Sequence, residues 1–435
     1  MLYLDWAATT PPDITILEAA AERSACSYGN PSSTHREGRA AKALLEDARN
    51  DFLESIGFNS QAVSPGRAER TGGRDTVSSL RPGLVFTGSG TEADQLPFFA
   101  ILRKHLEQQE RLASPRRPHL VVSSIEHAAI HGQATLLSRI GFDTSFVKPR
   151  PDGIVDPAAI GGAMRPETRL VAVMAVNNET GAVQDLPAIG ASIRAAWESI
   201  HPGLAGRALP PAPWFHADCV QALGKIPLDL PAIASGTSSA AHAPPFSAAF
   251  SAHKLRGPRG VGALLHTTDF EPLAAGGGQE RGLRSGTENL SGILAFAAAA
   301  KKAADNLEAG LVHARSLESM LIEGLSNIPG VRVLPGSRVA GDLRYSPWIL
   351  SAAFPGLAGE VFARALSDEG IAVSTGSACS HNDSRKKGRR ILDAMGTPEE
   401  LSFSAIRIST GTLTTAADIG RFLETAADLY RRLKS

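Results

Sequence analysis

Two stretches of this sequence carry side chains that could act as nucleophiles. In SAHKLRGPRGVGALL, residues 251 to 265, Lys254 follows Ser251, Ala252 and His253 and precedes a Gly-rich turn into an apolar run. In VSTGSACSHNDSRKKGRR, residues 373 to 390, Cys379 stands alone among Gly, Ser, His and Asn and is followed by Arg385, Lys386, Lys387, Arg389 and Arg390. A lysine beside a histidine is commonly a solvated pair, and a free cysteine is commonly a small buried hydrophobe. The turn formers around Cys379 predict instead a solvated loop.

The lysine gains meaning from a carboxylate. Asp218 closes the apolar run of WFHADCVQALGK, 36 residues earlier (254 − 218). A strand-end Asp is often a helix cap. Yet pyridoxal 5'-phosphate requires this pairing, a lysine for the Schiff base and an acid to hold the pyridine nitrogen protonated. A phosphate site fits upstream in TGSGTEADQ (87–95), where Gly88 and Gly90 admit the backbone and Thr91 opens a helix whose free N–H groups favour a dianion. The turn lacks the Gly-Lys-Ser/Thr ending of a nucleotide P-loop. In SSIEHAAIHG, His127 and His131 are four apart and could share a helix face. A zinc pair is one alternative, with no HExxH pattern and no evident third ligand. The other has His127, at a strand end, stacking on a cofactor ring and handling protons, with His131 merely on the helix; no metal is expected.

The elements that must position these groups alternate. Apolar runs LVFTGS (84–89), HLVVSS (119–124), RLVAVMAV (169–176) and PWFHAD (213–218) are separated by helix-like segments, which predicts βαβ units and a mostly parallel sheet covered by helices. Ligands collect at the carboxyl ends of such strands. Three stretches rich in Gly, Pro, Ala and Ser, 60–83, 201–213 and 231–250, read as surface loops. After the Ala-rich helix NLSGILAFAAAAKKAADNLEAG, the pattern changes at about residue 311 to that of a smaller α+β domain, which carries the Cys379 loop.

The 435 residues are 43% hydrophobic and 20% charged, and Lys plus Arg equals Asp plus Glu at 44 each. That balance gives no field for nucleic acid or an anionic membrane, so small molecules and local docking surfaces are the expected partners. Three scattered cysteines, Cys26, Cys219 and Cys379, argue against a disulfide framework. MLYLDWAATTPPD lacks the basic start and apolar stretch of a signal peptide, and GILAFAAAA falls short of the ~20 residues a membrane span needs. A cytoplasmic protein is expected.

Ten motifs in order, LDWAATTPP, YGNPSSTHREGRAA, FTGSGTEADQL, SSIEHAAI, VNNETGAVQDL, FHADCVQALGKIPLDL, SAHKLRGPRGVGALL, GGGQERGLRSGTENL, GSACS and IRISTGTLTT, run nearly end to end. With them the chain resembles the cysteine desulfurases of the pyridoxal-phosphate class V aminotransferase group, the branch that supplies sulfur for iron-sulfur clusters. The resemblance implies a fold-type-I α/β transferase: a large domain (16–310) with a mostly parallel seven-stranded sheet, and a small α+β domain (1–15 and 311–435). It implies that Lys254 bonds the cofactor aldehyde, Asp218 pairs with the pyridine nitrogen, and Gln221 hydrogen-bonds the phenolic oxygen. Gly90, Thr91, Ser251 and His253 would hold the phosphate, with Thr287 reaching the site of a second subunit in a homodimer. Asn178 and Arg407 would clamp the carboxylate of L-cysteine, an arginine fork being suited to a carboxylate. Cys379 would take the sulfur as a persulfide and hand it to an acceptor such as an iron-sulfur scaffold protein or a tRNA-thiolation pathway. Other activities open to the same residues are selenocysteine lyase or aminotransferase, and a non-catalytic accessory role is a third reading. Departures from the family pattern are Trp6 for a common Asn, the order Gly88-Ser89, Thr410-Gly411 for Leu-Gly, and the cationic run at 385–390.

A thiol of ordinary pKa about 8.5 is only slightly ionised at neutral pH, and neighbouring cations would help. The 14 steps from Gly376 to Arg390 could span up to about 45 Å extended, enough for one sulfur to visit a buried site and then an outside acceptor. Replacing Cys379 by Ser should abolish alanine formation from L-cysteine while leaving the protein's yellow colour with pyridoxal phosphate. Replacing Cys26 or Cys219 should leave turnover largely intact, as read by an alanine assay.

Overall fold

A computed structural model of the protein describes residues 1–58, 82–111, 116–202, 211–235, 244–376 and 389–434. Cys379 and the cations at 385, 386 and 387 lie outside the described residues, as do most of the stretches 60–83 and 201–213. In chain order the strands are β1 (Leu2–Tyr3), β2 (Gly83–Thr87), β3 (His119–Ser123), β4 (Asp143–Val147), β5 (Thr168–Ala172), β6 (Trp214–Asp218), β7 (Phe246–Ser251), β8 (Gly262–His266), β9 (Arg332–Leu334), β10 (Ile349–Ala353), β11 (Ile371–Ala372) and β12 (Ala405–Ser409).

Seven of them form one sheet in the order β2-β8-β7-β6-β5-β3-β4. Only β8 runs against its neighbours; the pairs from β7 to β4 are parallel. The strands are apolar on both faces, as burial under two helical layers requires. On one face Phe52 of the helix Arg36–Ser55 meets Phe250 of β7 and Phe296 of the helix Leu290–Asp305, with ring centroids 5.6 and 4.8 Å away. On the other, Phe98, Ile130 and Leu137 pack on Leu120, Val122 and Leu170. A buried Phe of this kind contributes about 3–5 kcal/mol by truncation.

The β7 strand corrects the expectation of a loop over 231–250. Leu230–Ser235 is a short helix and Phe246–Ser251 is a fully buried interior strand. FSAAFS looks like loop sequence because its small residues dominate. The alternation explains the outcome: Phe246, Ala248 and Phe250 face one core and Ala249 the other, the period-two pattern of a strand.

A second core gathers Leu2 and Leu4 with Leu317, Leu321, Phe354, Phe362, Phe422 and Tyr430. Its sheets are the antiparallel set β12-β10-β9 and the parallel pair β1-β11. The first residues of the chain therefore pack with residues from 317 onward.

A buried ion pair closes the exposed edge of the large sheet. Arg49 donates to both carboxylate oxygens of Glu280 (2.9 and 3.1 Å), and the same carboxylate accepts from the N–H of Phe86 on edge strand β2 (2.9 Å). Glu280 and Arg281 have φ of 46° and 58°, left-handed values that non-glycine residues rarely adopt, so the contacts hold a strained turn leading to Thr287. Truncating Glu280 to Ala would leave the guanidinium of Arg49, 2% exposed, with only the more distant Glu46 (3.4 Å) to balance its charge. The expected loss is about 3–5 kcal/mol, measured as a fall in the urea midpoint.

Candidate active site

The carboxyl ends of β2, β3, β5, β6 and β7 lie along one edge of the sheet, and each is followed by a residue singled out by the sequence. Gly90 and Thr91 follow β2, His127 follows β3, Asn178 follows β5, Asp218 ends β6, and Ser251 ends β7 just before Lys254. Residues 219–226 are successive turns, with Leu223 N–H on Cys219 O and Ile226 N–H on Ala222 O (both 3.1 Å). These turns give Gln221 its place one turn beyond Asp218.

Lys254 sits in a single 3-10 turn, Ala252–Lys254, at the end of β7. Its Nζ donates to the carbonyls of Ala7 (2.6 Å) and Ala8 (2.7 Å). Gln221 Nε2 donates to the same Ala7 oxygen at 2.8 Å. The N-terminal segment is stitched down on either side of that contact. Thr10 donates through its hydroxyl to His253 O (2.9 Å), His253 Nδ1 meets Thr9 Oγ1 (3.1 Å), and Arg256 N–H donates to Thr10 Oγ1 (2.8 Å).

Asp218 and His127 share the adjoining space. Asp218 is buried and its Oδ1 accepts from Val220 N–H at 2.9 Å. Burial raises its carboxyl above the ordinary range, against the opposing pull of His127, that N–H and Lys254. His127 caps the helix Ala128–Arg139, its Nδ1 accepting from Ala129 N–H at 3.2 Å, so a neutral ring carries its proton on Nε2. Burial lowers its pKa, Asp218 raises it, and Lys254, Arg390 and Arg407 lower it further. The other four groups all act on His127. His131, by contrast, stacks on Phe146 with centroids 4.8 Å apart, and no third metal-ligating partner stands with the two histidines among the described residues.

At the phosphate end, Ser89 caps the helix Gly90–Arg111. Its hydroxyl accepts from Glu92 N–H (3.1 Å) and its carbonyl from Ala93 N–H (3.1 Å). The N–H groups of Gly90 and Thr91 have no partner among the described residues. A Cβ on Gly90 would lie 2.9 Å from Val220 and 3.1 Å from Ser251, so the close approach needs glycine there. Burial, with Lys254 and Lys225, lowers His253 to about 4 and keeps it neutral. Thr287 is exposed.

At the opposite end Arg407 of β12 donates to Asn178 O and to the Asp5 carboxylate, both at 2.8 Å. Its Nε and the Oδ1 of Asn178 are buried with no partner among the described residues. Arg407 and Ser374 pair through their backbones (3.2 and 2.6 Å), two residues before Gly376. Where description resumes, the Arg390 guanidinium donates to Ser124 O and Glu126 O, beside His127. Both described flanks of the segment that contains Cys379 are thus fastened at this site. Burial, with Asp218 and Asp94, pushes the Cys219 thiol well up, which leaves it inert.

These features suit pyridoxal phosphate: a buried carboxylate with one backbone donor, free N–H groups over a glycine, a lysine at the centre and orphaned polar atoms at the far end. The sequence named Arg390 only as one of the cations after Cys379, and it left unmarked Lys225, Asp5, Glu126 and the carbonyls of Ala7 and Ala8. Only Lys225 carried a signal, standing four residues after Gln221 in QALGK.

Comparison with known proteins agrees with the geometry. The chain is 32% identical over 441 aligned positions to the cysteine desulfurase IscS of Anaeromyxobacter dehalogenans, covering all of this chain and 93% of that protein. It is 31% identical to the protein of the same name from Pectobacterium carotovorum, with the same coverage. Among solved structures, a NifS-like protein superposes with a TM-score of 0.78 at 29% identity over 99% of both chains. The NifS-like protein of Rickettsia africae gives 0.76 at 26% identity, again over 99% of both. Because the model of the class-V aminotransferases, a pyridoxal-phosphate-dependent family, matches residues 78–422, this chain belongs to that family.

Proposed function

We propose that the protein is a cysteine desulfurase, converting L-cysteine to L-alanine and leaving the sulfur on the enzyme as a persulfide. The observation that carries it is the meeting of Lys254, Asp218 and His127 at three strand ends. Both flanks of the Cys379 segment are fastened beside them. The full-length likeness to desulfurases supports the same reading.

When bound, pyridoxal phosphate supplies an aldehyde that condenses with amines and a ring that accepts the electrons left when Cα loses its proton. Asp218 would hold a proton on the ring nitrogen, and Gln221 would face the phenolic oxygen. Gly90, Thr91, Ser251 and His253 would hold the phosphate. Arg407 would orient the substrate carboxylate through its unpartnered Nε, and Asn178 through its amide N–H groups. Lys254 would carry the Cα proton, and neutral His127 would exchange protons near the sulfur. Cys379 would attack that sulfur as thiolate: an S–S bond forms, the C–S bond breaks, and the released carbon skeleton takes a proton to leave as alanine.

We further propose that residues 16–310 form the large domain and that 1–15 with 311–435 form the small one, as the two apolar cores support. A second copy of the chain would complete the phosphate site with the exposed Thr287. No described helix is long and apolar enough to cross a membrane. A cytoplasmic location is our reading of the three scattered cysteines. The acceptor of the sulfur would be a partner protein.

Mass spectrometry after incubation with L-cysteine tests the proposal. One added sulfur on the peptide bearing Cys379, with an equivalent of alanine, is expected; sulfur on another residue, or none, overturns it. Lys254→Ala should lose the visible band and both products.

One neighbour sets a pH dependence. Glu126 is fully buried, accepting from Ser123 Oγ and, at 2.8 Å, from Met174 N–H, with Oε2 unpartnered. Burial raises it from 4.5 to about 8, offset in part by those two donors. The fold thus keeps a proton that the unfolded chain has lost, and stability from this group declines as pH rises from about 4.5 through about 8. Glu126→Gln mimics the protonated form. Its melting temperature should match the parent at the acid end and exceed it increasingly toward the alkaline end.

A further inference from the structure

The side-chain amide of Gln221 is held at both ends. Its Nε2 donates to Ala7 O at 2.8 Å, the carbonyl that also accepts from Lys254 Nζ at 2.6 Å. Its Oε1 accepts from Lys225 Nζ at 2.7 Å. The two ends of an amide are nearly alike in shape, and chemistry distinguishes them here. An ammonium can only donate, so protonated Lys225 obliges Gln221 to turn its oxygen that way. Both amide N–H bonds then lie on the opposite side. One goes to Ala7, and the second is left for whatever occupies the space beside Lys254.

Lys225 is itself fixed. It follows Gln221 by four residues in consecutive turns, and its carbonyl accepts from Trp348 Nε1 at 2.9 Å. Its stem lines a cavity of about 350 Å³ with Trp6, Lys254, Trp348 and Thr410. The charged groups that act on it are Lys254, from the turn after β7, and Arg407, from β12. Arg256, His313 and the Asp13–Lys302 pair (2.8 Å) stand along the same cavity wall. Burial, then Lys254 and Arg407, brings the Lys225 ammonium down to about 7.

We propose that Lys225 is a positioning residue: by donating to Gln221 Oε1 it turns the amide N–H bonds toward Ala7 and Lys254, and so sets the donor offered to the phenolic oxygen of pyridoxal phosphate. The proposal rests on the cofactor reading given above. Lys225 acts through Gln221 and not on the substrate.

The test compares wild type, Lys225→Met, Lys225→Arg, Gln221→Leu and the double variant Gln221→Leu/Lys225→Met, all loaded with pyridoxal phosphate. The visible band of the bound cofactor is titrated with base, and kcat and KM for L-cysteine are measured. Lys225→Met removes the donor and keeps the stem. Its midpoint should rise by about half a unit or more, because the phenolic oxygen loses its oriented donor. Its kcat should fall about tenfold with KM within about twofold. Lys225→Arg keeps a donor and should restore most of both, and the double variant should shift no further than Gln221→Leu. An unmoved midpoint in Lys225→Met, or a double variant showing the sum of the two single shifts, overturns the proposal. Should the Met variant fail to fold, Lys225→Arg decides alone: a midpoint displaced as far as in Gln221→Leu overturns it, and a wild-type midpoint supports it. A colourless wild type ends the cofactor reading and this proposal together, whereas a coloured wild type with an unmoved Lys225→Met ends only the positioning role.

Discussion

The carbonyl oxygen of Ala7 organises the centre of this protein, because it accepts from Lys254 and Gln221 at once. An acceptor enclosed with an ammonium and an amide must be placed accurately, since an unmet donor there would carry the full desolvation penalty. Placement comes from a distance. Leu2 and Leu4 are anchored in the second core, β1 pairs with β11, Asp5 bridges to Ser409, and Arg407 grips the Asp5 carboxylate. The smaller sheets therefore hold the strip of backbone that covers the lysine, while the large sheet supplies the lysine itself. Arg407 reaches across this boundary, so the residue best suited to a substrate carboxylate also fastens the strip.

Charge is the second constraint. Asp218, Asp94 and Glu126 lie close enough to act on one another, and burial raises all three. Three neighbouring enclosed carboxylates cannot all be anions. Asp94 faces His216 at 3.2 Å, whose other nitrogen meets Ser247, and Glu126 is closed off by Ser123 and Met174. Asp218 alone has His127 and Lys254 pulling it back toward the charged form. Asp218 is thus the one of the three on which the lysine and the histidine act to favour the anion.

Much of this was legible in the residues. The runs ending at Thr87, Ser123, Ala172 and Asp218 read as strands because β-branched and apolar residues fill them, and the site follows from where such strands end. Lys254, Asp218 and His127 could be named from type and order. What stayed hidden has a common physical cause. The carbonyls of Ala7 and Ala8 are backbone groups, and no side-chain type announces them. The β7 strand hides in an Ala- and Ser-rich stretch, because a central strand under two helical layers uses small residues. Lys225 reads as an ordinary surface lysine until its ammonium is seen on Gln221.

The departures from the family pattern make sense at the same level. With the order Gly88-Ser89, the serine falls on the helix cap, where its hydroxyl and carbonyl take the Glu92 and Ala93 N–H groups. Trp6 brings a large ring beside Lys254, and the space for it exists because residue 411 is glycine: a Cβ there would lie 2.0 Å from the indole. The neighbouring Ala7 carbonyl is therefore located by a shape match as well as by hydrogen bonds, and a bulky residue is tolerated at position 6 only while position 411 stays bare. Trp6 and Gly411, far apart along the chain, thus meet in one packing contact at the strip that covers the lysine.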